Sequence, residues 1–349
     1  MADPTLEDER SPVRWVSRLL PALPPLVWMT AILLGGSRLQ WNDYWFMVDR
    51  TFTENGLIDL GGLFTFQNEH PIVLPQLVYW LNAQLTGGSN LALGVFVVAL
   101  VAAQIAVVAR FVPEEDWRRA GPFVLVAAAG ALLFARQGLH NFWLAMSGTA
   151  WLLANLLVLA AVLARVRGRV GPAIGLGVAA SMTYGTGLMV WPALLVTGMV
   201  QDRRRRPEPS VLAATVLVAL AYVALRDPVP DAGSPGLWQW VRATMRIGGS
   251  VIAGSLGASE IVGAVVVVAG LVLCVLAVRS ARPELVPWVG VFTFALGSCV
   301  LIARSRFLWV VYFGHQSRYA SLSALLLLSA AALAAALFRF RLAALAPLA

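Results

Sequence analysis

Long apolar runs separated by short polar stretches fill this chain. Ten of them come near the roughly 20 residues that a transmembrane helix needs: 19–36, 89–111, 121–136, 145–164, 172–184, 187–201, 210–225, 258–278, 284–303 and 319–338. The fifth and sixth are short, and Tyr184-Gly185-Thr186-Gly187 lies between them. That tetrapeptide reads either as a tight turn between two spans or as a break in one bent helix. Between the first two runs the pattern changes. Trp41, Trp45, Phe46 and Val48 surround Asp43 and Asp49, which predicts a short amphipathic helix at the interface. A second helix is expected to begin at Pro71 and to carry Val73, Leu74, Leu77, Val78, Trp80 and Leu81. A third interfacial helix is predicted where Leu237, Trp238, Val241 and Met245 fall at helical spacing. Its Arg242 and Arg246 are expected to meet lipid headgroups.

Composition narrows the class. Of 349 residues, 59% are hydrophobic and 13% charged, and mean hydropathy is +0.76. A soluble domain carries about 25% charged residues. A soluble enzyme, a disordered chain and a nucleic-acid-binding domain are therefore poor readings, despite a net charge of +8. An all-α polytopic membrane protein remains, read as a single transmembrane domain over 1–349. The two cysteines, Cys274 and Cys299, map to opposite depths and are expected to be unbridged packing residues.

Every basic residue is arginine. With ten spans, 17 arginines fall on one side and 9 on the other. Short cytoplasmic loops are enriched in Lys and Arg, so both termini are expected in the cytoplasm. Residues 1–18 are then a cytoplasmic tail and 37–88 the first extracytoplasmic loop. With nine spans, Arg203 to Arg206 would move outside. The N-terminal segment lacks the layout of a cleaved signal peptide, so the first run is expected to stay as an anchor.

Polar residues suited to chemistry concentrate on the extracytoplasmic side of this map. All three histidines, His70, His140 and His315, fall there. Asp43 sits between aromatic residues just after the first run, where a carboxylate is costly unless it has a partner or a task. It reads either as that or as a solvated acid in an aromatic belt. Asn68-Glu69-His70-Pro71 places an acid and an imidazole at the start of a helix. Asn68 or Glu69 could cap that helix, whereas His70 could donate to a phosphate or tune a neighbouring acid. Arg136, His140 and Asn141 either line a polar cavity or flank the anchoring Phe142 and Trp143. Arg318 opens the last run beside His315, offering a planar donor fork to a phosphate; snorkelling to ordinary headgroups is the alternative. No P-loop, dinucleotide fingerprint, HExxH or CxxC occurs.

In order along the chain, four features resemble the GT-C superfamily of integral membrane glycosyltransferases. They are the acid of Trp41-Asn42-Asp43-Tyr44, the Glu69-His70-Pro71 turn, the glycine break Tyr184-Gly185-Thr186-Gly187 running on to Pro192, and the pair Arg318-Tyr319. The resemblance implies a GT-C-like fold and a polyprenyl-phosphate sugar donor used on the outer face of a cell membrane. The acceptor would be a glycan or a lipid-linked group, with membrane lipids as surroundings and no nucleic acid partner. It further implies Asp43 or Glu69 as general base, and Arg318, His70, His315 and Tyr319 at the donor phosphate. Arg136, His140, Asn141 and Tyr184 would line the cavity. Displacement would be direct and inverting. No cofactor is required by this reading, which leaves a divalent metal open.

Two other functions fit the composition. A transporter or flippase of lipid-linked sugars would use the same arginine and aromatics, but needs a polar path through the spans. A non-catalytic membrane scaffold needs neither. Convergence of Asp43 and Arg318 on one cavity separates the first reading from both.

Overall fold

The computed structural model describes residues 23–40, 42–67, 70–113, 120–203, 206–225, 235–306 and 317–338. Fifteen α-helices run through the described residues, and no strand is found among them. They are α1 (Leu23–Gly35), α2 (Asn42–Thr51), α3 (Leu60–Leu63), α4 (Val73–Thr86), α5 (Asn90–Ala109), α6 (Ala120–Leu133), α7 (Leu139–Trp143) and α8 (Ala145–Val166). After these come α9 (Val170–Ser181), α10 (Val190–Gln201), α11 (Pro209–Leu225), α12 (Leu237–Gly249), α13 (Leu256–Ser280), α14 (Val286–Ser305) and α15 (Ala320–Leu337).

Five helical segments are long and apolar enough to cross a membrane: Asn90–Ala109, Ala145–Val166, Leu256–Ser280, Pro283–Ser305 and Ser317–Leu337. These match five of the ten predicted runs. The third run ends in a bend, where Pro122–Leu133 meets the following segment Arg136–Trp143 at 41°. The other four runs are shorter apolar helices of 10–17 residues. Packing explains which helices face inward. In the core, α8 lies between α5, α9 and α10, while α14 packs on α10 and α15. By contrast, α11 buries only Val211, and its Leu217, Leu220 and Val223 are exposed, as suits a lipid-facing helix.

Some polar groups inside the bundle bond across helices, where water is absent. Gln104 Nε2 donates to the Leu152 carbonyl at 3.0 Å, and Asn155 Nδ2 donates to Ser321 Oγ at 3.2 Å. Ser89 and Ser255 cap α5 and α13 by accepting from the amides of Ala92 and Ala258.

The break at Tyr184–Gly187 is a reversal rather than a bend. Arg165, at the end of α8, pairs with Asp202, just past the end of α10, at 2.7 Å. Since α9 starts where α8 ends, α10 must return to that same end. Trp191 Nε1 donates across the turn to Ser181 Oγ at 3.0 Å. Gly187 packs directly on the Ala180 carbonyl, a place no Cβ could occupy.

The two ends of the bundle differ. One end carries the Arg165–Asp202 pair, and there Arg203 donates to the Ala281 carbonyl and Arg282 to the Ala336 carbonyl. At the other end α2, α4, the bend before α8, the Tyr184 reversal and the start of α15 come together.

At α12 the expectation of headgroup contacts is corrected. Arg242 and Arg246 both reach Glu260 on α13, at 2.8 Å and 3.0 Å. Helix α12 is indeed amphipathic, but Ala243, Thr244, Ile247, Gly248 and Gly249 are buried against the bundle. Glu260 is close enough to take both guanidiniums, so the pair clamps α12 to α13. Cys274 and Cys299 are both free.

Candidate active site

The amphipathic helix predicted around Asp43 is α2. Asp43 lies in its first turn, where the helix dipole favours a carboxylate. The next residue, Tyr44, is fully buried. Its hydroxyl donates to the Tyr79 carbonyl at 3.2 Å and accepts from Asn82 Nδ2 at 3.1 Å. Tyr79 in turn donates to the Met146 carbonyl at 2.8 Å. This chain of bonds holds α2 to α4 and α4 to α8, and so fixes where Asp43 stands.

His70 precedes α4. Its backbone forms an isolated antiparallel bridge with Gln67, so the helix starts at Val73 rather than at Pro71. The imidazole lies 4.0 Å from the Tyr184 ring, centroid to centroid. It is also packed against Gly185, where a Cβ would fall 2.5 Å from Nδ1. Glycine at this position is what lets the reversal approach the imidazole. Leu74 N donates to the Met182 carbonyl at 3.2 Å and ties the same two segments together.

The third wall comes from the last helix. Ser317 Oγ donates to the Gln137 carbonyl and accepts from the His140 amide at 3.0 Å. Asn141 Nδ2 donates to the Arg318 carbonyl at 3.2 Å. These bonds lock the bend at 136–143 onto the start of α15 and hold Arg318 in place.

Together these walls enclose a cavity of about 360 Å³ lined by Asp43, Gln67, His70, His140, Tyr184 and Arg318, among others. That size suits a small polar ligand. Trp151 and Tyr79 form part of the lining, and the Trp151 ring is tilted against that of Tyr184, with centroids 4.3 Å apart. A larger chamber of about 1100 Å³ adjoins it. Gln40, Asn90, His140 and Leu144 line both.

Of the residues predicted for the site, Asp43, His70, His140, Tyr184 and Arg318 therefore share one cavity. Arg136 lines the adjoining chamber instead. Asn141 and Tyr319 line neither; Asn141 is buried behind Arg318, and Tyr319 packs edge-on against Trp151 at 5.4 Å. Tyr319, expected at the donor phosphate, thus packs beside the cavity lining rather than forming it. Glu69 and His315 lie outside the described residues. Asp49 is exposed and off the cavity, whereas Met47, one turn beyond Asp43, lines it.

The electrostatics change one assignment. Burial, with the charge of Arg306 nearby, pushes the His70 pKa down to about 3. His70 is neutral at neutral pH, so it can offer a phosphate one hydrogen bond but no charge. The His140 pKa is also lowered, by burial and then by Arg318. Positive charge on the cavity wall thus comes from Arg318. Among the described residues no group of three His, Cys, Asp or Glu side chains could hold a metal ion. The acid on this wall is Asp43.

Several lining residues were not singled out from the sequence. Gln40 and Asn90 sit at helix boundaries, where a polar residue looks like a cap. Asn90 in fact donates to the Ser37 and Trp143 carbonyls at 3.4 and 2.9 Å and accepts from the Ala145 amide at 3.2 Å. Trp151 lies in an apolar run, where it looks like any lipid-facing aromatic.

No family model, no curated protein and no solved structure matches the chain.

Proposed function

We propose that this chain is a GT-C-like membrane glycosyltransferase, moving a sugar from a polyprenyl-phosphate donor to an acceptor hydroxyl on the extracytoplasmic face of a cell membrane. Ten spans with both termini inside belong to the same reading. The observation that supports it is the meeting of Asp43 and Arg318 on one cavity. A base and a phosphate-binding cation in one cavity are what glycosyl transfer from a sugar phosphate needs.

In this mechanism the donor's sugar occupies the polar cavity and its phosphate lies against Arg318. The acceptor hydroxyl oxygen attacks the anomeric carbon while Asp43 takes its proton. The bond from that carbon to the phosphate oxygen breaks, and the electron pair leaves with the phosphate. Arg318 stabilises the charge that develops there, and neutral His70 contributes a hydrogen bond. One displacement inverts the anomeric centre. Among the described residues Asp43 is the acid on this cavity, which suits a single displacement.

Two acids off this cavity are held in ion pairs. Glu260 is engaged by Arg242 and Arg246, and Asp202 by Arg165. A transporter would need a polar route through the spans, which the transfer reading does not.

The test is direct. Purified protein incubated with polyprenyl-phosphate sugars and membrane extract as acceptor source should release polyprenyl phosphate. Tight donor binding with no release from any donor, and with sugar moved across a vesicle bilayer, would favour transport.

A further inference from the structure

The chamber beside the cavity carries an observation that the transfer reading does not use. Gln40 lines both spaces, and its Nε2 is buried with no hydrogen-bond partner. A buried amide donor left unpaired costs about 1–3 kcal/mol, so such a group asks for a reason. Here it stands at the junction of the two spaces, three residues ahead of Asp43.

The chamber's chemistry is different from that of the cavity. Its volume is about 1100 Å³, and Leu39, Leu139, Trp143, Ala253 and Ala320 line it. Arg136 is the cation on its wall, and among the described residues nothing pairs with that guanidinium. An apolar chain would gain in proportion to the area it buries. A donor with one phosphate satisfies Arg318 in the cavity and leaves Arg136 for another anion.

We infer that the chamber holds the acceptor, that this acceptor is an anionic amphiphile, and that Gln40 binds its polar head at the junction with the cavity. The chain of the acceptor lies along Leu39, Leu139 and Trp143, with its anionic group at Arg136. Its hydroxyl then passes Gln40 to reach Asp43. This assignment rests on the transfer reading for the word acceptor, but the binding site itself does not.

Native mass spectrometry of the protein with n-dodecyl phosphate tests it, because bound molecules are counted without any turnover. The expected result is saturable binding that persists in Arg318→Gln. It should weaken about tenfold or more in Arg136→Gln and about three- to tenfold in Gln40→Met, the ranges for a charged and a neutral hydrogen bond. Gln40→Glu, which adds a negative charge at the junction, should weaken dodecyl phosphate but leave dodecanol unchanged. Loss of binding in Arg318→Gln alone would overturn the inference, since the amphiphile would then sit in the donor site. Equal binding by all variants would also overturn it, as contact at a lipid-exposed surface only. If dodecyl phosphate binds as expected but no donor is ever turned over, the transfer reading fails while the site stands.

Discussion

Tyr44 is anchored to Tyr79: its hydroxyl donates to the Tyr79 carbonyl at 3.2 Å, and the two rings meet edge to face at 5.6 Å. Helix α2 has Trp45 and Phe46 exposed on its other side, so Tyr44, with buried Met47 and Thr51, seats the helix. Asp43 follows it into register.

Removing that anchor should therefore loosen the site from below. Tyr44→Phe keeps the ring but strips Asn82 Nδ2 of the hydroxyl it donates to. A buried donor left without a partner costs about 1–3 kcal/mol. Thermal unfolding in detergent should show a lower midpoint, and any activity should fall with it. An unchanged midpoint would mean that α2 is held by something else.

The two arginine environments predict opposite phenotypes. Arg318→Gln should weaken donor binding by roughly ten- to a hundredfold, from the loss of a charge-assisted contact of about 1.5–3 kcal/mol. Arg242→Ala removes one of two guanidiniums on Glu260, at a partly exposed position. It should leave donor binding unchanged and cost little stability, as solvent-screened ion pairs do. Donor titrations on both variants separate the cases. Equal weakening by both would reduce Arg318 to one more surface charge.

His70 gives a pH dependence of definite sign. In the folded chain it takes its proton only near pH 3, against 6.5 for the ordinary group. The unfolded chain thus binds more protons throughout that interval, and stability falls as pH drops through it. Above pH 6.5 the contribution is complete. His70→Gln should flatten that part of the curve of melting midpoint against pH. A slope unaltered by the substitution would place the titration elsewhere.

Much of this fold could be read from the sequence, because apolar runs bounded by arginines carry their own signal. The amphipathic α2 was legible for the same reason: Asp43 and Asp49 interrupt aromatics at helical spacing. The Tyr184–Gly187 break was not, since two glycines permit a turn and a bend alike. Only long-range contacts, Arg165 to Asp202 and Trp191 to Ser181, decide it. The roles of Arg242 and Arg246 were hidden too. Nothing local announces that Glu260, on the next helix, will sit between them. At the site, charged residues stood out against an apolar chain, whereas Gln40, Asn90 and Trp151 did not. An amide at a helix boundary resembles a cap, and a tryptophan in an apolar helix resembles a membrane anchor, until the bundle closes around them.

The central claim is that Asp43 takes the acceptor's proton. Asp43→Asn keeps the shape and the α2 anchor but cannot accept that proton. General-base catalysis contributes about 10²–10⁴-fold, so the variant should bind donor normally and transfer almost nothing. Asp49→Asn, on the exposed face of α2, should transfer at close to the full rate. The decisive measurement is single-turnover transfer by purified Asp43→Asn with saturating donor, run beside Glu69→Gln. A loss of 100-fold or more in Asp43→Asn with donor affinity intact is the predicted result; near-normal turnover in Asp43→Asn, with the loss in Glu69→Gln instead, would contradict it.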